Sequence, residues 1–192
     1  YRPRIVQKPM MVNKHQRKLL LDTEKRLNAE TDKQVDLQFH AMALALNRMH
    51  GWKQSRICKL AIASQSVWDD CAASNSISMV QLCEKETGID LMSEHTSRDY
   101  EEIIYLNESS DDGKQLTIQQ WIYMRQQQIK WVPVQITACI LITLHRNEGW
   151  GIERLGRFLN VLEGVKQDYG YNVKAIKQAS VEKTGFEILE DM

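Results

Sequence analysis

Histidines, cysteines, paired carboxylates and clustered cations are the side chains of this sequence that could do chemistry, and their spacing says which chemistry. His15, His40, His50, His95 and His145 are scattered, with no HExxH pair and no Cys/His grouping at metal-ligand spacing. Cys58, Cys71, Cys83 and Cys139 form no CxxC and lie in apolar, helix-patterned stretches, as reduced and buried thiols of a cytosolic protein do. Trp68-Asp69-Asp70 offers two carboxylates without an organised partner, a feature of a helix surface rather than an acid–base or metal site. No nucleophile elbow, phosphate-binding glycine loop or dinucleotide fingerprint occurs. The expectation is a non-enzyme with no catalytic residue, no metal, no cofactor and no small-molecule substrate.

What remains is charge that could bind. The formal net charge is zero, which gives no global attraction to nucleic acid or to a membrane surface. Locally the charge is polarised. Residues 1–26 carry Arg2, Arg4, Lys8, Lys14, Arg17, Lys18, Lys25 and Arg26 against Asp22 and Glu24. Residues 84–112 hold Glu84, Glu86, Asp90, Glu94, Asp99, Glu101, Glu102, Glu108, Asp111 and Asp112 against Lys85 and Arg98. Such regions steer partners of opposite sign, pair with each other or are solvated faces. Arg2, Arg4, Lys8, Arg17 and Lys18 are therefore candidate contacts to nucleic acid or to an acidic face. Glu101, Glu102, Asp111 and Asp112 are candidate contacts to a basic partner.

A repeat organises the rest. Leu46, Arg48, Gly51, Trp52 and Arg56 recur as Leu144, Arg146, Gly149, Trp150 and Arg154, each 98 residues on, as from Gly51 to Gly149. The copies also end alike, in Thr87-Gly88-Ile89 and Thr184-Gly185-Phe186. Such self-similarity has to be read before anything else about the fold. A module of about 55 residues barely buries enough surface to stand alone, so two are expected to pack about a pseudo-twofold axis, as a covalent homodimer.

The elements that carry these residues read as helices throughout. After an arm containing Pro3 and Pro9, Asn13 can cap a helix to about Asp32. Val35, Phe39, Met42, Leu46 and Met49 then form an apolar stripe at steps of three and four, closed by Gly51. A second helix starts near Lys53 with Ile57, Leu60, Ala61 and Val67, and a third spans Met79 to Thr87. An acidic linker follows, with a helix expected over Tyr100–Leu106, then a helix from Thr117 to Trp131 that Pro133 should end or kink. The second copy repeats the plan over Val134–Asn147, Ile152–Tyr169 and Val173–Thr184. The expected fold is all-α, with two tandem helix–Gly–helix–helix repeats packed with pseudo-twofold symmetry. Its regions are a basic arm and N-terminal helix (1–32), repeat one (33–92), an acidic linker and connecting helix (93–132) and repeat two (133–192). The longest apolar run, Ala138 to Ile142, is too short for a bilayer, and no apolar stretch of a signal peptide follows Tyr1.

Two readings of the repeated motif compete. In the structural one, Trp52 and Trp150 plug the gap between crossing helices, while Arg56 and Arg154 bond the carbonyls that end the preceding helix, so Gly51, Trp52, Arg56, Gly149, Trp150 and Arg154 are structural. In the other, each hairpin is a helix-turn-helix, with apolar residues where that motif wants them and Lys53, Lys59 and Arg157 facing duplex DNA. Against it, the tight position four before the glycine holds Asn47 or His145 instead of a small residue, and the second helices carry few groups for base edges.

The segments Ala43-Leu44-Ala45-Leu46-Asn47-Arg48-Met49-His50-Gly51-Trp52 and Leu144 to Arg154, each with its downstream Thr-Gly, resemble small helical proteins encoded by phages and prophages of Firmicutes. Those carry one copy of an A-L-H-x-x-[F/W]-G-[F/W]-G-x-x-R pattern. The likeness covers roughly residues 35–92 and 133–191, and repeat one departs from it at Asn47 and Lys53. It implies a phage or mobile-element accessory protein in the cytoplasm of a bacterial host. By context it implies binding and inhibition of a host protein or nucleoprotein of defence, in the manner of an anti-CRISPR. The alternative is a phage regulator that binds duplex DNA.

Overall fold

Every regular element among the described residues is an α-helix. The computed structural model describes residues 14–74, 78–92 and 117–188. Six helices are seen there: α1 (Lys14–His50), α2 (Gln54–Ser74), α3 (Met79–Thr87), α4 (Ile118–Glu148), α5 (Ile152–Asp168) and α6 (Val173–Thr184). The expected all-α class holds. Asn13 and the helix expected over Tyr100–Leu106 lie outside the described residues. No helix among them is long and apolar enough to cross a membrane.

No helix end is seen after Asp32 or at Pro133. α1 runs without interruption past Asp32, because the junction holds neither Gly nor Pro. Glu30 instead supports the turn, accepting from Lys33 and Gln34 at 3.4 Å each. α4 likewise continues through Pro133. A proline inside a helix costs about 3 kcal/mol, and burial of Ile129, Trp131, Val132 and Ile136 on either side of it offsets that loss.

The chain divides into two compact units. One comprises Tyr1–Gln34 and Met92–Val132, the other Val35–Leu91 and Pro133–Met192. In the first, Leu20 and Leu27 of α1 pack with Trp121, Met124 and Ile129 of α4. Arg125 is buried beside them and donates to Gln128 at 3.0 Å and Asn28 at 3.2 Å.

The second unit is built on two stretches that are buried on all sides. Residues 41–46 of α1 and 136–144 of α4 are wholly enclosed, as expected of helices apolar round their whole circumference. Several polar groups in and beside these stretches are hydrogen-bonded. Thr143 donates back to the Cys139 carbonyl at 2.7 Å, Thr137 to that of Pro133 at 2.8 Å, and Gln38 donates to Thr137. Around these stretches, α2 buries Ile57, Leu60, Ser64 and Val67, α5 buries Leu155, Phe158, Leu162 and Val165, and α6 buries Ile176, Ala179, Ser180 and Thr184. Of the expected stripe in α1, Met42 and Leu46 are enclosed, while Val35, Phe39 and Met49 are half-buried.

Candidate functional site

The repeated glycines make two corners. α1 ends at His50, and Gly51 follows at φ 66°, a left-handed backbone that only glycine adopts without strain. Its N–H donates to the Asn47 carbonyl at 2.8 Å, satisfying one of the helix's last acceptors. The Asn47 amide then donates to the carbonyl of Trp52 at 2.9 Å, which fixes the direction in which α2 leaves. At the other corner Gly149, at φ 64°, donates to the His145 carbonyl at 3.1 Å. There the His145 ring takes the part of the Asn47 amide: its Nδ1 lies 2.9 Å from the Trp150 carbonyl, and since a carbonyl only accepts, Nδ1 carries the proton. Trp52 and Trp150 are 4% and 1% exposed, as suits an aromatic following a helix-ending glycine.

Arg56 and Arg154 correct the expectation drawn from their spacing. Among the described residues neither is bonded to a carbonyl of the preceding helix, one of which each glycine amide engages. Their guanidinium groups lie over the indoles instead, 3.9 Å from the Trp52 ring and 4.2 Å from the Trp150 ring. Planar and weakly hydrated, guanidinium suits an aromatic face.

The corners meet each other. The two indoles are 6.1 Å apart at 63°, edge to face. Arg56 pairs with Glu148 at 2.5 Å, and Arg154 approaches His50 Nε2 at 3.3 Å. Burial, with Arg154, Arg56 and Arg157 nearby, holds the His50 pKa below its ordinary value, so the ring can accept from Arg154 as the neutral form. The start of each second helix also lies against the end of a third. A Cβ on Gly185 would sit 3.6 Å from Gln54, and one on Gly88 would sit 3.2 Å from Ile152. Lys53 donates to the Lys183 carbonyl. Further out, Arg48 pairs with Asp168 at 2.7 Å, while Arg146 grips Glu86 through two bonds of 2.8 and 2.6 Å that keep the Glu86 carboxyl below the usual range.

Of the other residues singled out in the sequence, Lys53, Lys59 and Arg157 are exposed on the second unit, at the start of α2 and on α5. Arg17 and Lys18 are exposed on α1 in the first unit. Arg2, Arg4, Lys8, Glu101, Glu102, Asp111 and Asp112 lie outside the described residues. A cavity of about 510 Å³ brings Lys53 and Lys59 together with Ser55, Arg56, Leu60, Asn147 and Glu148. Asn147 and Glu148 had no signal as cavity residues in the sequence. Asn47 and His145 did: both stand five residues before a tryptophan, a match that reads at first only as two departures from a small residue.

Two of the thiols, Cys83 and Cys139, are buried. Burial pushes Cys83 up to about 11 and Cys139 higher still, away from the thiolate that nucleophilic or redox chemistry requires. Fold and site together define an all-α protein with two glycine–tryptophan corners in contact. Compared with known proteins, the chain matches no family model, no curated protein and no solved structure.

Proposed function

We propose that the second unit is a duplicated helical module closed about a pseudo-twofold axis, and that the chain is a non-enzymatic accessory protein of a phage or mobile element. On this reading it works in the host cytoplasm by binding and inhibiting a defence nucleoprotein, an anti-CRISPR-like role. The observation that carries the reading is the exchange of contacts between corners. Arg56 meets Glu148 and Arg154 meets His50, while Gln54 lies by Gly185 and Ile152 by Gly88. In each case the second pair is the first with its repeat positions swapped, and that is the signature of an isologous interface.

The same contacts weigh against the duplex-DNA reading. A helix-turn-helix puts the N-terminal residues of its second helix against base edges, and paired readers sit about 34 Å apart. Here the first turns of α2 and α5 are engaged with the opposite half, and the adjoining indoles are 6.1 Å apart. A protein surface of the partner is the better target for such a closed scaffold.

The test is a salt series of duplex-DNA binding by the purified chain, beside capture of the partner from bacterial lysate with and without nuclease. Weak DNA binding, together with nuclease-resistant capture that is lost when Glu101, Glu102, Asp111 and Asp112 are neutralised, is the expected result. Tight DNA binding that falls steeply with salt and vanishes on charge reversal at Lys53, Lys59 and Arg157 would establish the regulator instead.

A further inference from the structure

The cavity beside the first corner is the part of the second unit that the scaffold reading leaves without a role. Three cations line it: Lys53, Arg56 and Lys59, with Glu148 as the one carboxylate. Arg56 is held in place from two sides, by the Trp52 face at 3.9 Å and by Glu148 at 2.5 Å, so its remaining N–H groups are oriented before any ligand arrives. Lys53 is tethered to the Lys183 carbonyl. Lys59 stands exposed on α2 one turn beyond Ser55. α2 has no acidic residue in its own first turn, so Glu148 is the one carboxylate of the lining that opposes an anion. The volume of about 510 Å³ falls within the range of small-molecule sites, far beyond what inorganic phosphate alone would fill.

The opposite corner shows that this is not a by-product of the repeat. At the matching positions Lys53 becomes Gly151, Ser55 becomes Glu153, Lys59 becomes Arg157, Asn147 corresponds to Met49 and Glu148 to His50. A cation is lost and a carboxylate enters the first turn of the second helix. Trp and the stacked Arg are shared, and Lys59 has a cationic counterpart in Arg157, whereas Lys53, Ser55, Asn147 and Glu148 are all replaced at the other corner.

We propose that this cavity binds a small phosphate ester of sugar-phosphate or nucleotide size. The phosphate would sit between Lys53, Arg56 and Lys59, and Asn147 and Glu148 would take hydroxyl groups of the sugar. The net charge of the four ionised groups, three cations against one carboxylate, matches a phosphate dianion. The carboxylate wall favours a compact ligand with hydroxyls to donate over a strand whose phosphates run on in both directions. The inference is independent of the partner proposed above, since it requires neither a host protein nor an inhibitory role.

Titration calorimetry on the full chain would use ADP, ribose 5-phosphate, inorganic phosphate and a duplex oligonucleotide as probes. ADP or ribose 5-phosphate should bind in the sub-millimolar range, inorganic phosphate at least about tenfold more weakly, and the duplex no better than inorganic phosphate. Lys59→Glu, a change at an exposed position, should weaken ADP at least about tenfold, while Lys174→Glu on α6 should leave it unchanged. Absence of binding by either ester at millimolar concentration would overturn the proposal, as would binding indifferent to Lys59→Glu. Preference for the duplex would give the cavity to a nucleic-acid backbone and overturn it equally.

Discussion

The corner at Trp52 and the corner at Trp150 reach one geometry with different side chains. Asn47 supplies an amide and His145 a ring N–H, yet each donates at 2.9 Å to the carbonyl of its tryptophan. What the corner needs is a donor at that point; the residue type is secondary. Where the two differ in charge they differ in consequence. Glu148 gives Arg56 an ion pair, whereas His50 gives Arg154 only a neutral acceptor, and the charged cavity opens on the Glu148 side. Local backbone demands thus tolerate exchange of side chains, and the outward electrostatics record it.

The sharpest way to break this comparison is to remove the indoles. Trp150 is edged by Trp52, His50 and Phe158, whereas among the described residues Trp52 pairs with Trp150 alone. Trp150→Ala should cost about 3–5 kcal/mol in chemical denaturation, and Trp52→Ala should fall toward the lower end of that range. Equal losses would show that the aromatic cluster adds nothing to plain burial.

A second test uses a difference deeper in the core. His40 is fully buried with neither ring nitrogen hydrogen-bonded, edge to face with Phe186 at 5.4 Å, and its matching position in the other half is the buried Ala138. Burial lowers its pKa to about 4, opposed by Asp36 and assisted by Lys177. An unfolded chain takes up the proton near the ordinary 6.5, so between those values the unfolded state binds more protons. Stability is whole above pH 6.5 and declines as pH falls to 4, by about 3 kcal/mol. Urea melts across that window should show the decline in the parent chain and not in His40→Leu.

Smaller effects probe the corners themselves. Asn47→Ala and His145→Ala should each cost about 1 kcal/mol, and His145→Asn should recover most of its loss, since the amide serves at the other corner. A double-mutant cycle on Arg56 and Glu148 should give a coupling below about 1 kcal/mol that shrinks with salt, because the Arg56 side chain is 55% exposed.

The helix ends and the corners are the most legible part of this chain. Gly51, Gly149, Gly88 and Gly185 mark stops because they sit where a left-handed residue closes a helix, and each proves to have positive φ. Continuity is less legible than interruption. Pro133 is a local signal, and the burial of Ile129, Val132 and Ile136 that overrides it comes from residues distant in sequence. The partners of Arg56 and Arg154 are hidden for the same reason, since spacing within one corner points to the carbonyls that end the preceding helix and not to a corner 98 residues away. The cavity is half legible: Lys53 and Lys59 stand out by charge, while Asn147 and Glu148 join them only through the fold.

Contact between the indoles also sets how the molecule responds to being cut. Each corner shields its tryptophan partly with the other, so a chain opened between them becomes two fragments that must find each other in solution. The peptide connection makes that encounter intramolecular, at an effective concentration set by its length and stiffness. Without it, the melting temperature of the mixed fragments would rise with their concentration, as that of an obligate dimer does.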